Sequence, residues 1–358
     1  MSAPSYAFRV RPDWLALQDE EILEPAQPIV DSHQHLYVRP EIRYLLDDYL
    51  ADVSTGHDVR ASVFVQARAM LRRDGPPELR PVGEVEFVNG VAAMSASGAF
   101  GVTRVCAGIV GQADLMLGEA VRLVLERLIL AGGGLVTNGG RFCGIRHILA
   151  WDPDTSLLNP AYPTFKHMMG AAAFRAGFAQ LEPLGLSFDA WAFFSQLGEM
   201  AQLARAFPDT QIVVNHCGGL TRAGAYAGQA DVYDRWKAGI TDLAGCPNVM
   251  LKLSGLGMPF CGFGFNGLPR APGSADLAKA WRPLIEHCID AFGPSRCMSG
   301  SNFPVDKSSY NFKTGMNALK RLTSGASQTE KDDIFWRSAQ RFYRLPMAAL
   351  GMSDAAAA

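Results

Sequence analysis

The chain has 358 residues, 48% of them hydrophobic, which is enough to bury a sizeable core in one large domain or two ordinary ones. A formal net charge of -2 gives no bulk electrostatic case for nucleic acid or an anionic membrane, and leaves a small-molecule substrate as the expected partner. The seven cysteines are scattered and form no CxxC pair, which argues against a disulfide framework or a zinc ribbon. Charges at Arg9, Arg11, Asp13 and Asp19 precede any long apolar stretch, and no apolar run is long enough to span a bilayer, so the expectation is a soluble, cytoplasmic protein, with a homo-oligomer left open.

In chain order, short β-rich apolar runs predict strands over 28–33, 61–66, 104–110, 142–148, 186–191, 211–216, 249–253 and 296–301. Helical periodicity falls between them, near 84–96, 115–131, 169–183, 194–206, 230–245 and 275–292, and a helix over 327–343 closes the chain. No element is assigned to the segments after the first and last strands. Strands alternating with helices in this number, without a glycine-rich phosphate turn after the first strand, predict an α/β fold: a single-domain (β/α)₈ TIM barrel. The expected limits are an N-terminal extension over 1–27 packing on the barrel, the barrel over 28–345 and a tail over 346–358. Two long segments, 149–168 and 255–274, read as loops at the carboxyl ends of strands, where barrels build their binding surfaces.

The first strand runs into Asp31, His33 and His35, and side chains two residues apart on a strand point to one side. Two imidazoles buried together need a metal, a substrate or polar neighbours to satisfy them. The sixth strand repeats the pattern, ending in Asn215 and His216 before Gly218 and Gly219. Meeting at one barrel mouth, His33, His35 and His216 form a nitrogen-rich cluster that suits zinc or another divalent ion.

These two segments, together with Gly300, Asn302, Pro304 and Asp306 of the last strand and its loop, resemble the strand-one, strand-six and strand-eight motifs of the amidohydrolase superfamily. The branch they resemble is the amidohydrolase-related one, which contains sugar lactonases and 2-pyrone-4,6-dicarboxylate lactonase. The resemblance covers roughly 28–345 and implies hydrolysis of a lactone or related ester of a small carboxylated or hydroxylated compound. It also implies a strand-eight aspartate as metal ligand or general base, but Asn302 stands there, and a neutral amide can fill neither role. Some lactonases of the branch work without metal, so the cofactor expectation is one divalent ion, zinc first, or none.

Two carboxylates are candidates for the missing base: Asp306, and Asp189, an acid inside an apolar strand. Asn302 would then orient the water or the carbonyl. In the resembling lactonases an arginine after Gly-Ile binds a substrate carboxylate, which makes Arg146 the candidate anion anchor. His147 points to the other side of that strand, so only one of the two can face the interior. Lys252 on strand seven and Gln66 at the end of strand two are further substrate-contact candidates, and Trp151, Trp191, Phe260 and Phe263 are candidate pocket walls. The alternatives are a metal-dependent, non-oxidative decarboxylase of an aromatic acid on the same scaffold, or a catalytically silent ligand-binding barrel.

Overall fold

The computed structural model describes residues 9–352. Eight parallel strands, β1 (Pro28–Gln34), β2 (Asp58–Val65), β3 (Arg104–Gly111), β4 (Phe142–Ile148), β5 (Ser187–Trp191), β6 (Ile212–Val214), β7 (Val249–Leu253) and β8 (Cys297–Ser299), pair in sequence order. The ring nearly closes just past β8, where Asn302 N donates to His33 O at 2.7 Å and His35 N donates to Phe303 O at 2.8 Å. The chain is thus the single-domain (β/α)₈ TIM barrel that the alternation of elements predicts.

Around the barrel lie α1 (Leu46–Val53), α2 (Val82–Ala96), α3 (Val121–Ala131), α4 (Ala172–Phe178), α5 (Leu197–Ala206), α6 (Val232–Ala244), α7 (Ser274–Phe292) and α8 (Phe312–Leu322). Their inward faces follow the helical repeat: α7 buries Leu277, Trp281, Leu284, Cys288 and Phe292, and α6 buries Val232, Trp236, Ile240 and Leu243. Ile29, Phe64, Ile109, Phe188 and Leu251 belong to this outer, sheet-to-helix core. A second core fills the barrel itself, where Val30, Val63, Val110, Val213 and Met298 pack against Trp336, Phe342, Tyr343 and Leu345 of the C-terminal segment.

The differences from expectation are local. After β1 the unassigned segment forms a hairpin, Tyr37–Arg39 against Ile42–Tyr44, followed by α1, and after β8 it forms α8. The predicted sixth strand stops at Val214, two residues short of His216, because His216, Cys217, Gly218 and Gly219 all take left-handed backbone angles, with φ from 49° to 71°. The predicted eighth strand likewise stops at Ser299, and Asn302 is left-handed at φ 56°. The expected helix over 169–183 is α-helical only across Ala172–Phe178. The described part of the N-terminal extension packs on the barrel through Trp14 and Leu15, which bury with Ala271, while Trp14 donates its indole N–H to Leu268 O at 3.0 Å. The rest of that extension and the last residues of the tail lie outside the described residues.

Candidate active site

The turn after β6 carries the first element of the site. Trp236 of α6 donates to Cys217 O at 2.7 Å, which ties the turn to the helix layer, and the left-handed run swings the His216 ring toward β1. Gly255 lies under that ring at φ 76°; a Cβ there would sit 2.4 Å from His216 ring atoms, so the close approach requires glycine. The rings of His33 and His216 stand 4.4 Å apart between centroids, and those of His33 and His35 stand 4.9 Å apart. Three imidazoles from strands one and six therefore meet at the carboxyl rim.

Burial is the main force holding all three rings neutral, pushing each well below the ordinary histidine value. Lys252 adds to this at His33, and Arg146 adds to it at His35 and His216. The Nδ1 of His35 lies 2.7 Å from Val65 O; a carbonyl can only accept, so that nitrogen carries the proton and Nε2 is left with its lone pair. His33 is different. Lys252 Nζ approaches its Nδ1 at 3.3 Å and Arg146 Nη1 approaches its Nε2 at 3.3 Å, so both ring nitrogens are taken by cationic donors although a neutral ring has one lone pair.

Strand four settles which of its two polar neighbours faces in. Arg146 is buried against His33 and donates to Gln66 O at 2.5 Å, while His147 lies on the helix side, where its Nδ1 accepts from Leu115 N at 3.2 Å and its ring meets Phe174 edge-on. Behind the histidines, Lys252 and Asp189 are both 0% exposed and pair at 2.6 Å. Lys252 also donates to Ser32 O at 2.8 Å, and Asp189 also accepts from Tyr343 OH at 2.9 Å and Asn215 Nδ2 at 3.1 Å. Neither residue lines the cavity; Lys252 reaches toward it through His33, and its charge also helps keep His216 neutral.

Asn302 lines the cavity beside His35, and its amide is oriented from behind. Its Nδ2 donates to Asp306 Oδ1 at 2.8 Å, which leaves Oδ1 buried and without a hydrogen-bond partner. Asp306 is fully buried and also accepts from Tyr310 OH at 2.6 Å and Gly257 N at 3.1 Å; burial pushes its carboxyl up to about 6 against those donors.

The cavity in front of these groups has about 150 Å³ and takes in His35, Arg146, Trp191, His216, Phe260 and Asn302 from the expected set, while His33 stands behind the lining. Trp191 meets His216 edge-on at 4.9 Å. Gln66 stands just behind the wall, and Trp151 and Phe263 do not reach the lining, where Ala150 and Met258 stand instead. The lining also includes residues that sequence reasoning missed: Tyr37 and Arg39 from the hairpin after β1, and Asn159 and Tyr162 from the long loop after β4. Only the loop lengths signal them.

A further missed residue is Glu84 of α2, 0% exposed, whose Oε1 accepts from Ala67 N at 2.8 Å and Ala69 N at 2.7 Å and so shapes the loop after β2. Burial raises its carboxyl from 4.5 to about 7. The folded chain thus keeps a proton that the unfolded chain has released, and stability from this group is lost as pH rises from 4.5 to about 7. Relative to wild type, Glu84→Gln is expected to gain about 3 kcal/mol across that window. Urea denaturation of both proteins at pH 5 and pH 8 measures the gap; an unchanged gap would refute the assignment.

Among the described residues, no helix is long and apolar enough to cross a membrane. A family model described as Amidohydrolase matches residues 30–345. The chain is 31% identical over 302 residues to the uncharacterized protein y4mH of Sinorhizobium fredii, covering 84% of this chain and 86% of that one. It is 26% identical over 335 residues to an L-fucono-1,5-lactonase of Burkholderia multivorans, covering 89% and 97%. A crystal structure of an amidohydrolase from Burkholderia multivorans with bound zinc superposes with a TM-score of 0.65 at 24% identity, over 89% of this chain and 99% of that one. The chain belongs to the amidohydrolase family and is a hydrolase.

Proposed function

We propose that this amidohydrolase opens a lactone or related ester of a small carboxylated or hydroxylated compound by direct attack of water. The observation that carries the reading is the sorting of donors and acceptors around one cavity. Arg146, on the lining, offers N–H groups to a carbonyl oxygen, while Asn302 Oδ1 and the neighbouring Nε2 of His35 offer lone pairs to a water. In the proposed step the water oxygen bonds to the carbonyl carbon, its proton passes to His35 Nε2, and the negative charge gathers on the oxygen held by Arg146, which His33 supports from behind. When the carbon–oxygen bond of the ring breaks, that proton passes to the departing alkoxide, and a hydroxy acid results. His216, with its Nδ1 3.0 Å from Ser254 Oγ, and Trp191 close the far wall. Asp306 and Asp189 are positioning residues here, the first through Asn302 and the second through Lys252.

The residues present do not fit a divalent ion. Both nitrogens of His33 are engaged by cations, the strand-eight position is an amide, and Asp189 is neutralised by Lys252. Among the described residues no group of three or more His, Cys, Asp or Glu is arranged to hold a metal. The decarboxylase alternative needs metal chelation of its substrate and is disfavoured by the same donor set.

The test is a panel of carboxylated and hydroxylated lactones assayed after chelator treatment. Turnover is expected with the chelator present, and His35→Gln should lower kcat by about 10²–10⁴-fold. Binding without turnover across the panel would favour the catalytically silent barrel, and activity abolished by chelator and restored by zinc would overturn the metal-free reading.

A further inference from the structure

We infer that the cavity holds a second, anion-binding subsite on its β1–β2 side, built by Arg39, Tyr37 and Tyr162, which takes a carboxylate carried by the substrate away from the reacting carbonyl. The inference rests on the lactonase reading for the reacting end only. Its starting point is the charge of the wall: among the described residues, the cavity is lined by Arg39 and Arg146 and by no aspartate or glutamate. Arg146 is committed to the reacting end by its contacts with His33 Nε2 and Gln66 O. Arg39 is not; its guanidinium lies over the Tyr37 ring at 4.2 Å, and one of its nitrogens donates to Ala67 O at 2.9 Å, which aims the planar fork along the hairpin side of the cavity.

The second observation is independent of charge. Tyr37 is 1% exposed, lines the cavity, and its buried hydroxyl has no hydrogen-bond partner. Gln66 Nε2, behind the wall, is a buried donor in the same condition, while Gln66 Oε1 accepts from Tyr162 OH at 3.4 Å. A buried hydroxyl and a buried amide N–H without acceptors are costly unless a ligand supplies the acceptor atoms. Arg68, whose guanidinium lies 5.5 Å from the Tyr162 ring, makes the same side more positive. Glu84, an acid that faces these groups, stands behind the Ala67–Ala69 backbone and spends one oxygen on both amides. The unmet need on this wall is for oxygen acceptors with negative charge, which a carboxylate meets with two.

The substrate class that follows is a lactone bearing a ring carboxylate, so that one carboxylate is bound from the start and a second is created by hydrolysis. The experiment uses a non-hydrolysable probe, tetrahydropyran-2-carboxylate, and its methyl ester, titrated by calorimetry into the intact protein, beside kinetics on 6-oxotetrahydropyran-2-carboxylate and its methyl ester. The acid should bind at least tenfold tighter than the ester, and Arg39→Met should remove that preference. Tyr37→Phe should weaken the acid about fivefold without lowering the melting temperature, because the deleted hydroxyl has no partner within the protein. Acid binding unchanged in Arg39→Met, or a Tyr37→Phe variant that binds normally, would overturn the subsite while lactone turnover remained intact. Arg39-dependent binding without turnover of either lactone would uphold the subsite and remove the lactonase reading.

Discussion

Replacing Lys252 with methionine should destabilise the fold by about 3–5 kcal/mol, because it leaves a buried carboxylate without its counter-charge. Lys252 and Asp189 are 0% exposed, and their 2.6 Å pair is the main compensation for burying either. Burial alone pulls the lysine below its ordinary value, and Asp189 is the largest influence opposing that. All three ammonium donors are used, on Asp189, Ser32 O and His33 Nδ1, and the Tyr343 ring lies 5.2 Å beneath. Methionine has comparable length and fills the space, so the loss isolates charge and hydrogen bonding from packing. The companion variant Lys252→Met/Asp189→Asn removes both charges and should recover most of the loss, since the amide oxygen still accepts from Tyr343. Chemical denaturation of the two variants beside wild type measures this coupling. A single variant within about 1 kcal/mol of wild type would show that the pair is not what supports His33.

Asn302→Asp should lower kcat/KM by the order of 10²-fold at pH 8 and move the activity optimum toward acid. The amide nitrogen it replaces donates to Asp306 at 2.8 Å, so the variant brings two carboxyl oxygens to hydrogen-bonding distance, where they can coexist only by sharing one proton. That proton is lost as pH rises, and repulsion then turns both groups out of position. In the wild type the same contact gives an opposite dependence. Asp306 holds Asn302 most strongly as the carboxylate, its carboxyl sits at about 6, and kcat should fall as pH drops through that value. Asp306→Asn should lack this acid limb. A pH–rate profile of the three proteins decides the matter: coincident profiles would remove the amide–carboxylate pair from the mechanism.

The sequence carries the barrel well because parallel, buried strands are written as continuous apolar runs, and the alternation with helices survives errors of a few residues at each end. That only one of Arg146 and His147 can face inward follows from strand geometry, whereas which of them does so is set by Gln66 and Leu115, far away in the chain. The strand-end histidines are visible from the same geometry. What cannot be read is whatever depends on partners far away in the chain. Asp189 stands out as an acid in an apolar strand, yet its distance from the cavity is set by Lys252, 63 residues on, and by Tyr343, 154 residues on. Gln66, Glu84 and Arg39 look like ordinary polar residues until the loop after β2 folds between them. The left-handed turn at His216 is foreshadowed by the two glycines after it, but Cys217 at φ 49° gives no such signal.

The plug of C-terminal side chains in the barrel has a consequence for how the protein becomes competent. A line of direct contacts runs from Tyr343 to Asp189, from Asp189 to Lys252 and from Lys252 to His33, so the ring behind Arg146 is braced by a hydroxyl of the C-terminal segment. That brace on the histidine of the first strand is in place only once the helix Ser338–Tyr343 is docked in the barrel. The side chains that seal the barrel floor are therefore also the ones that complete the support of the site.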